Sequence, residues 1–125
     1  MTNIDTSNQT TETDPASVVT RYVETWRAKD FDGYQSLLAD DVRFTGPLGH
    51  AEGVEACRRG IEQLAKITTD IVVEKMVVDG PDVLTWFQLH TTVAEPCAVV
   101  NWSRVEGGKI SRIRVTFDPR PLLPA

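Results

Sequence analysis

Apolar residues recur along this chain with one period in its first half and another in its second. Val18, Val19, Tyr22, Val23 and Trp26 repeat at three- and four-residue spacing, which predicts a helix over 14–29 with one apolar face. Asp14-Pro15 stands at its start, where an acidic cap and a proline without an N–H both suit the first turn. A short second helix is expected next, with Phe31, Tyr34, Leu37 and Leu38 inward and Asp40-Asp41 ending it. Val42–Thr45 reads as a short strand and Gly46-Pro47-Leu48-Gly49-His50 as a loop. A third helix over about 51–66 would bury Val54, Cys57, Ile61 and Leu64. From residue 70 the period becomes two. Strands are expected over 70–78 and 83–93, and then as a hairpin from Cys97 to Asp118 that turns at Gly107-Gly108. The three prolines after Asp118 cannot continue a central strand. Residues 1–13 are polar and aperiodic, and a disordered tail is expected there.

Helices grouped first and strands grouped last predict an α+β fold. Three N-terminal helices would pack on a curved, mostly antiparallel sheet, forming a cone around a pocket in one domain over 14–125. The expected lining is Tyr22, Trp26, Phe44, Trp86, Gln88, Val99, Asn101, Ile113, Val115 and Phe117. That set is apolar with a few polar groups, which suits a small hydrophobic molecule. On the long strand Trp86, Gln88 and His90 share one side, and Phe87, Leu89 and Thr91 the other. Since both sides carry large apolar residues, the second is expected to meet another copy of the chain, giving a homodimer through Phe87, Leu89 and Trp102. Asn101 lies within an apolar run, and an amide buried without partners costs roughly 1–3 kcal/mol. Asn101 is therefore either a structural bridge or a ligand contact.

Charge and cysteine usage narrow the partners. A formal charge of −5 argues against non-specific nucleic-acid binding, which draws on clustered Lys and Arg. No apolar run approaches the roughly 18 residues of a membrane span, so no membrane contact is expected. Cys57 and Cys97, with no secretory signal visible, are read as reduced, small buried hydrophobes of a cytoplasmic protein. No Cys/His cluster has metal-ligand spacing and no Gly-rich loop could cradle phosphate, so neither metal nor cofactor is expected.

The stretch VVTRYVETWRAKDFDGYQSLLADDVRFTGPLG, with the hairpin EGGKISRIRVTFD, resembles the nuclear transport factor 2-like superfamily, in its SnoaL-like and ketosteroid-isomerase-like branch. The likeness runs over about 14–123 and implies the cone fold. It also implies roles. Tyr22 matches the catalytic tyrosine of ketosteroid isomerases in the first helix. Asn101 falls where those enzymes carry a protonated aspartic acid, allowing a one-residue difference in the turn. An amide there can donate to an oxyanion without a shifted pKa. The isomerase's general base corresponds to Gly46, which cannot move a proton, so ordinary ketosteroid isomerisation is not expected. The Asp-Arg-Asp set of limonene epoxide hydrolases has no counterpart around Trp86–Leu89 or Val115. SnoaL-type cyclases use a His/Asp pair, for which His90 and Asp118 are the residue types present. His90 is thus the third catalytic candidate, while Asp118 is expected to hold the turn after the last strand. His50 is placed at the pocket mouth or surface, and Arg112 and Arg114 facing away from the pocket. The implied function is an isomerase, cyclase or related enzyme that polarises a carbonyl or phenolic oxygen through Tyr22 and Asn101. The alternative is a non-catalytic ligand-binding or dimerisation module on the same fold.

Overall fold

The computed structural model describes residues 13–123, so the expected tail lies outside the described residues apart from Thr13. Helix α1 (Pro15–Ala28) buries the predicted face, Val18, Val19, Tyr22, Val23 and Trp26. Its start is set by Pro15 and by the Asp14 carbonyl, which accepts from the Val18 amide at 3.0 Å. The Asp14 side chain caps nothing, contrary to expectation. Helix α2 (Phe31–Ser36) opens on Asp30, whose carboxylate accepts from the Gly33 amide at 3.0 Å.

Several boundaries differ from the sequence reading, among them the start of the third helix, expected at about 51 and found at Val54. Strand β1 (Leu38–Gly46) begins before Asp40-Asp41, which lie within the strand and do not end the helix. The expected loop 46–50 is instead the tip of a hairpin. β2 (Gly49–Glu52) folds back on β1 with Thr45 opposite His50 and Gly46 opposite Gly49. Gly49 holds φ at 142°, a backbone angle that favours glycine. Helix α3 (Val54–Ala65) follows and buries Cys57, Ile61 and Ala65.

The rest of the chain is strand: β3 (Thr68–Asp79), β4 (Asp82–Thr91), β5 (Cys97–Glu106) and β6 (Lys109–Thr116). The six strands form one curved, unclosed sheet in the order β2-β1-β6-β5-β4-β3, antiparallel except where β1 runs parallel to β6. Asp118 holds the turn beyond β6 as expected, accepting the Arg120 amide at 3.1 Å. The helices cover one face of the sheet. There they meet Val83, Phe87, Leu89, Val99 and Ile113, all buried. Arg27 of α1 donates to the Ile71 carbonyl and so ties that helix to β3.

The orientation of β4 is opposite to the sequence reading. Val83, Thr85, Phe87 and Leu89 face the helices, whereas Trp86 is 46% exposed on the outer face. Two causes act together. Burying Phe87 and Leu89 is worth roughly 1.5–3 kcal/mol each. A bulge between Val73 and Lys75 also leaves Glu74 able to take both polar groups of the outer row. Its Oε1 accepts from Trp86 Nε1 at 2.9 Å and from Gln88 Nε2 at 3.0 Å. The outer face therefore carries Leu84, Trp86 and Trp102, and not Phe87 or Leu89. On β5 and β6 it carries Arg104, Arg112 and Arg114, with the Arg114 guanidinium 4.3 Å from the Trp102 ring centre. Burial and the neighbouring charges of Arg114 and Arg43 pull the Arg112 pKa below its ordinary value.

Candidate functional site

Between the helices and the inner face of the sheet lies a cavity of about 420 Å³. α1 contributes Tyr22 and Trp26, and α2 contributes Tyr34. The sheet supplies Phe44, Phe87, Leu89, Val99, Asn101 and Val115, and the chain just beyond β6 supplies Phe117. α3 closes one side with Cys57, Ile61 and Leu64, and the β1–β2 hairpin brings Gly46 and His50 to the lining. Such a size and apolar lining match an ordinary small-molecule pocket.

Seven of the expected lining residues are brought together here: Tyr22, Trp26, Phe44, Val99, Asn101, Val115 and Phe117. Trp86 and Gln88 are not, because they lie on the outer side of β4 with Glu74. His90 shares that side, opposite Asp70 of β3, and does not line the cavity. Ile113 is fully buried in the core without reaching the lining. The sequence reading missed Tyr34, Phe87 and Leu89 as lining residues. For Tyr34 a signal existed, since helical spacing already turned it inward. For Phe87 and Leu89 the parity of one strand was reversed.

The polar side of the cavity is a chain of hydrogen bonds. Tyr22 Oη donates to Asn101 Oδ1 at 3.2 Å, and Asn101 Nδ2 donates to Ser103 Oγ at 2.8 Å. The two tyrosine rings stack with centres 5.1 Å apart. Asn101 is thus buried with both ends of its amide engaged, as a polar group in an apolar sheet must be. Burial pushes both phenol pKa values up, and for Tyr22 the neighbouring Tyr34 offsets part of that rise. Both are neutral hydroxyls at neutral pH, able to donate. The Tyr22–Asn101 bond is the weak link, since O–H···O bonds centre on 2.7–2.8 Å. A ligand oxygen can accept from Tyr22 in place of Asn101 Oδ1, at the expense of that acceptor's bond. Cys57 is a buried thiol whose pKa is raised by that burial. Among the described residues no carboxylate lines the cavity, and His50 at its exposed edge is the imidazole that does.

Residues 19–113 match the model of the SnoaL-like domain. The chain belongs to the SnoaL-like domain family. The likeness also extends to solved structures. This SnoaL-like chain is 28% identical to an NTF2-like protein of unknown function from Cytophaga hutchinsonii, covering 86% of this chain and 93% of that one at a TM-score of 0.77. A candidate ketosteroid isomerase from Kribbella flavida superposes with a TM-score of 0.75 at 20% identity, over 83% of this chain and 77% of that one. A candidate polyketide cyclase from Sinorhizobium meliloti gives 0.74 at 19% identity, over 78% and 92%. At those identities the last two establish the shared fold alone. No curated protein matches the sequence. Among the described residues no helix is long and apolar enough to cross a membrane, and no group of His, Cys, Asp and Glu could hold a metal ion.

Proposed function

We propose that this SnoaL-like protein binds a compact, largely apolar molecule through one carbonyl or phenolic oxygen and polarises that oxygen at the Tyr22–Asn101 corner. The observation that carries the reading is an apolar cavity with a buried hydrogen-bond chain along one side, whose longest link is the bond from Tyr22. In this reading Tyr22 turns its proton from Asn101 to the ligand. An isomerase or cyclase would need this polarisation together with a base. The absence of a lining carboxylate among the described residues favours a second reading, a binding protein that performs no proton transfer.

Titration with 1-tetralone, a fused bicyclic ketone, separates these outcomes. Saturable binding that weakens about tenfold in Tyr22→Phe supports the polarising corner. Accelerated exchange of the C2 protons with deuterated solvent supports an enzyme, and binding without exchange supports the binding protein. No saturable binding overturns both readings.

We further propose that a second copy covers the outer sheet face, in place of the Phe87–Leu89 contact expected from sequence. Leu84, Trp86 and Trp102 are each more than a third exposed there.

A further inference from the structure

Trp26 stands one helical turn after Tyr22 on the buried face of α1, and both line the cavity. Residues at that spacing are neighbours on a helix surface. The indole is 4% exposed, and its Nε1–H has no hydrogen-bond partner among the described residues. An orphaned buried N–H is rare in a folded protein and calls for an explanation. Its ring meets Phe87 edge-on, at 5.7 Å between centres, so the packing is satisfied while the donor is not. Two other deep polar groups on the lining are engaged: Tyr22 with Asn101, and Asn101 with Ser103. Thr85 Oγ1 is also buried without a partner, but Thr85 does not line the cavity.

We infer that the Trp26 indole N–H is the second donor to the ligand's oxygen, beside Tyr22, and that Asn101 is a positioning residue. The inference rests on the cavity reading above and narrows it. The distances separate the roles. The Asn101 amide is held by Ser103 at 2.8 Å and would have to break a good bond to reach a ligand. The indole N–H has none to break. A carbonyl oxygen has two lone pairs and can accept from both donors at once. The site therefore selects a neutral acceptor, a ketone or ester carbonyl. An apolar molecule of the same shape lacking that oxygen would leave the indole unpaired.

The test compares 1-tetralone with tetralin, its counterpart without the oxygen. Binding is measured on the full chain and on Trp26→Phe, which keeps an aromatic ring and removes the N–H. The expected result is about a tenfold weaker 1-tetralone complex in the variant and an unchanged tetralin complex. In ¹⁵N-labelled unaltered protein, the Trp26 indole proton should move downfield on adding 1-tetralone and stay in place with tetralin. Trp86→Phe and Trp102→Phe identify its resonance. Because this readout needs no change at Trp26, a poorly folded variant would not blur it. An unmoved indole signal with 1-tetralone bound, or equal losses for both probes in Trp26→Phe, overturns the role of Trp26 and leaves the cavity reading standing. Failure of both probes to bind the unaltered protein overturns the two together.

Discussion

Tyr22 and Tyr34 are buried phenols, and alkaline solution should expose that. Their folded pKa values lie above the ordinary 10.0, chiefly through burial. Above pH 10 the unfolded chain releases protons that the folded chain keeps. Stability is therefore fully present below that pH and falls as pH rises, by about 1.4 kcal/mol per pH unit for each tyrosine. Tyr22→Phe should lower that slope by about one proton in urea unfolding at pH 10–11, and an unchanged slope would refute the account. Tyr22 and Asn101 were legible in the sequence because an aromatic on a helical stripe and an amide in an apolar strand are each conspicuous. Their engagement with each other and with Ser103 was not, since it depends on which polar groups the fold brings within 3 Å or so. Gly46 invites a second experiment. A Cβ there would lie 3.3 Å from the Phe44 ring and 3.6 Å from Val115 Cβ, against the cavity wall. Gly46→Asp should thus bring a carboxylate to the lining after a small shift of Phe44. Δ5-3-ketosteroid isomerisation should be negligible in the unaltered protein and measurable in the variant, since a general base typically contributes ~10²–10⁴-fold. Substantial activity before substitution would point to a base already present, with His50 the first to replace.

Among the elements, the helices were the more legible. Three- and four-residue spacing names one face without ambiguity, and α1 buries the five residues that its spacing selects. A strand offers a choice between two sides, and β4 has large apolar residues on both. Burial of Phe87 and Leu89 acts there together with Glu74, placed by a bulge on the neighbouring strand, and no feature of β4 itself announces the latter. The hairpin formed by β1 and β2 was equally hidden, because Gly-Pro-Leu-Gly reads as a loop until its flanks are seen to pair. The end of α1 carries a prediction of its own. Lys29 occupies the left-handed cap at φ 58° and ψ 35°, and its amide reaches back to the carbonyls of Thr25 and Trp26. A Cβ is unfavourable in that conformation. Lys29→Gly should therefore raise stability by about 0.5–1 kcal/mol in urea unfolding, and a loss of that size would mean the lysine side chain holds the cap in some other way.

At the scale of the whole molecule, the α+β order and the curved sheet were readable from helices preceding strands, while the residues exposed on the outer face were not, because they follow the parity of β4. If a second copy covers the outer face, light scattering at micromolar concentration should give twice the 13.9 kDa of one chain. Trp86→Glu with Trp102→Glu should return it to a monomer with unchanged helix content, and a monomer before substitution would refute the pairing. One bond deserves a longer view. Tyr22 and Asn101 are separated by 79 positions, and β1 finds its parallel partner only in β6, the last strand. Contacts between such distant positions close late, after the entropy of a long loop has been overcome. During synthesis, then, the helices emerge well before the strands that give them a ligand to share. Until those strands have been made the apolar face of α1 has no sheet to cover it, and the cavity first exists once β6 is in place.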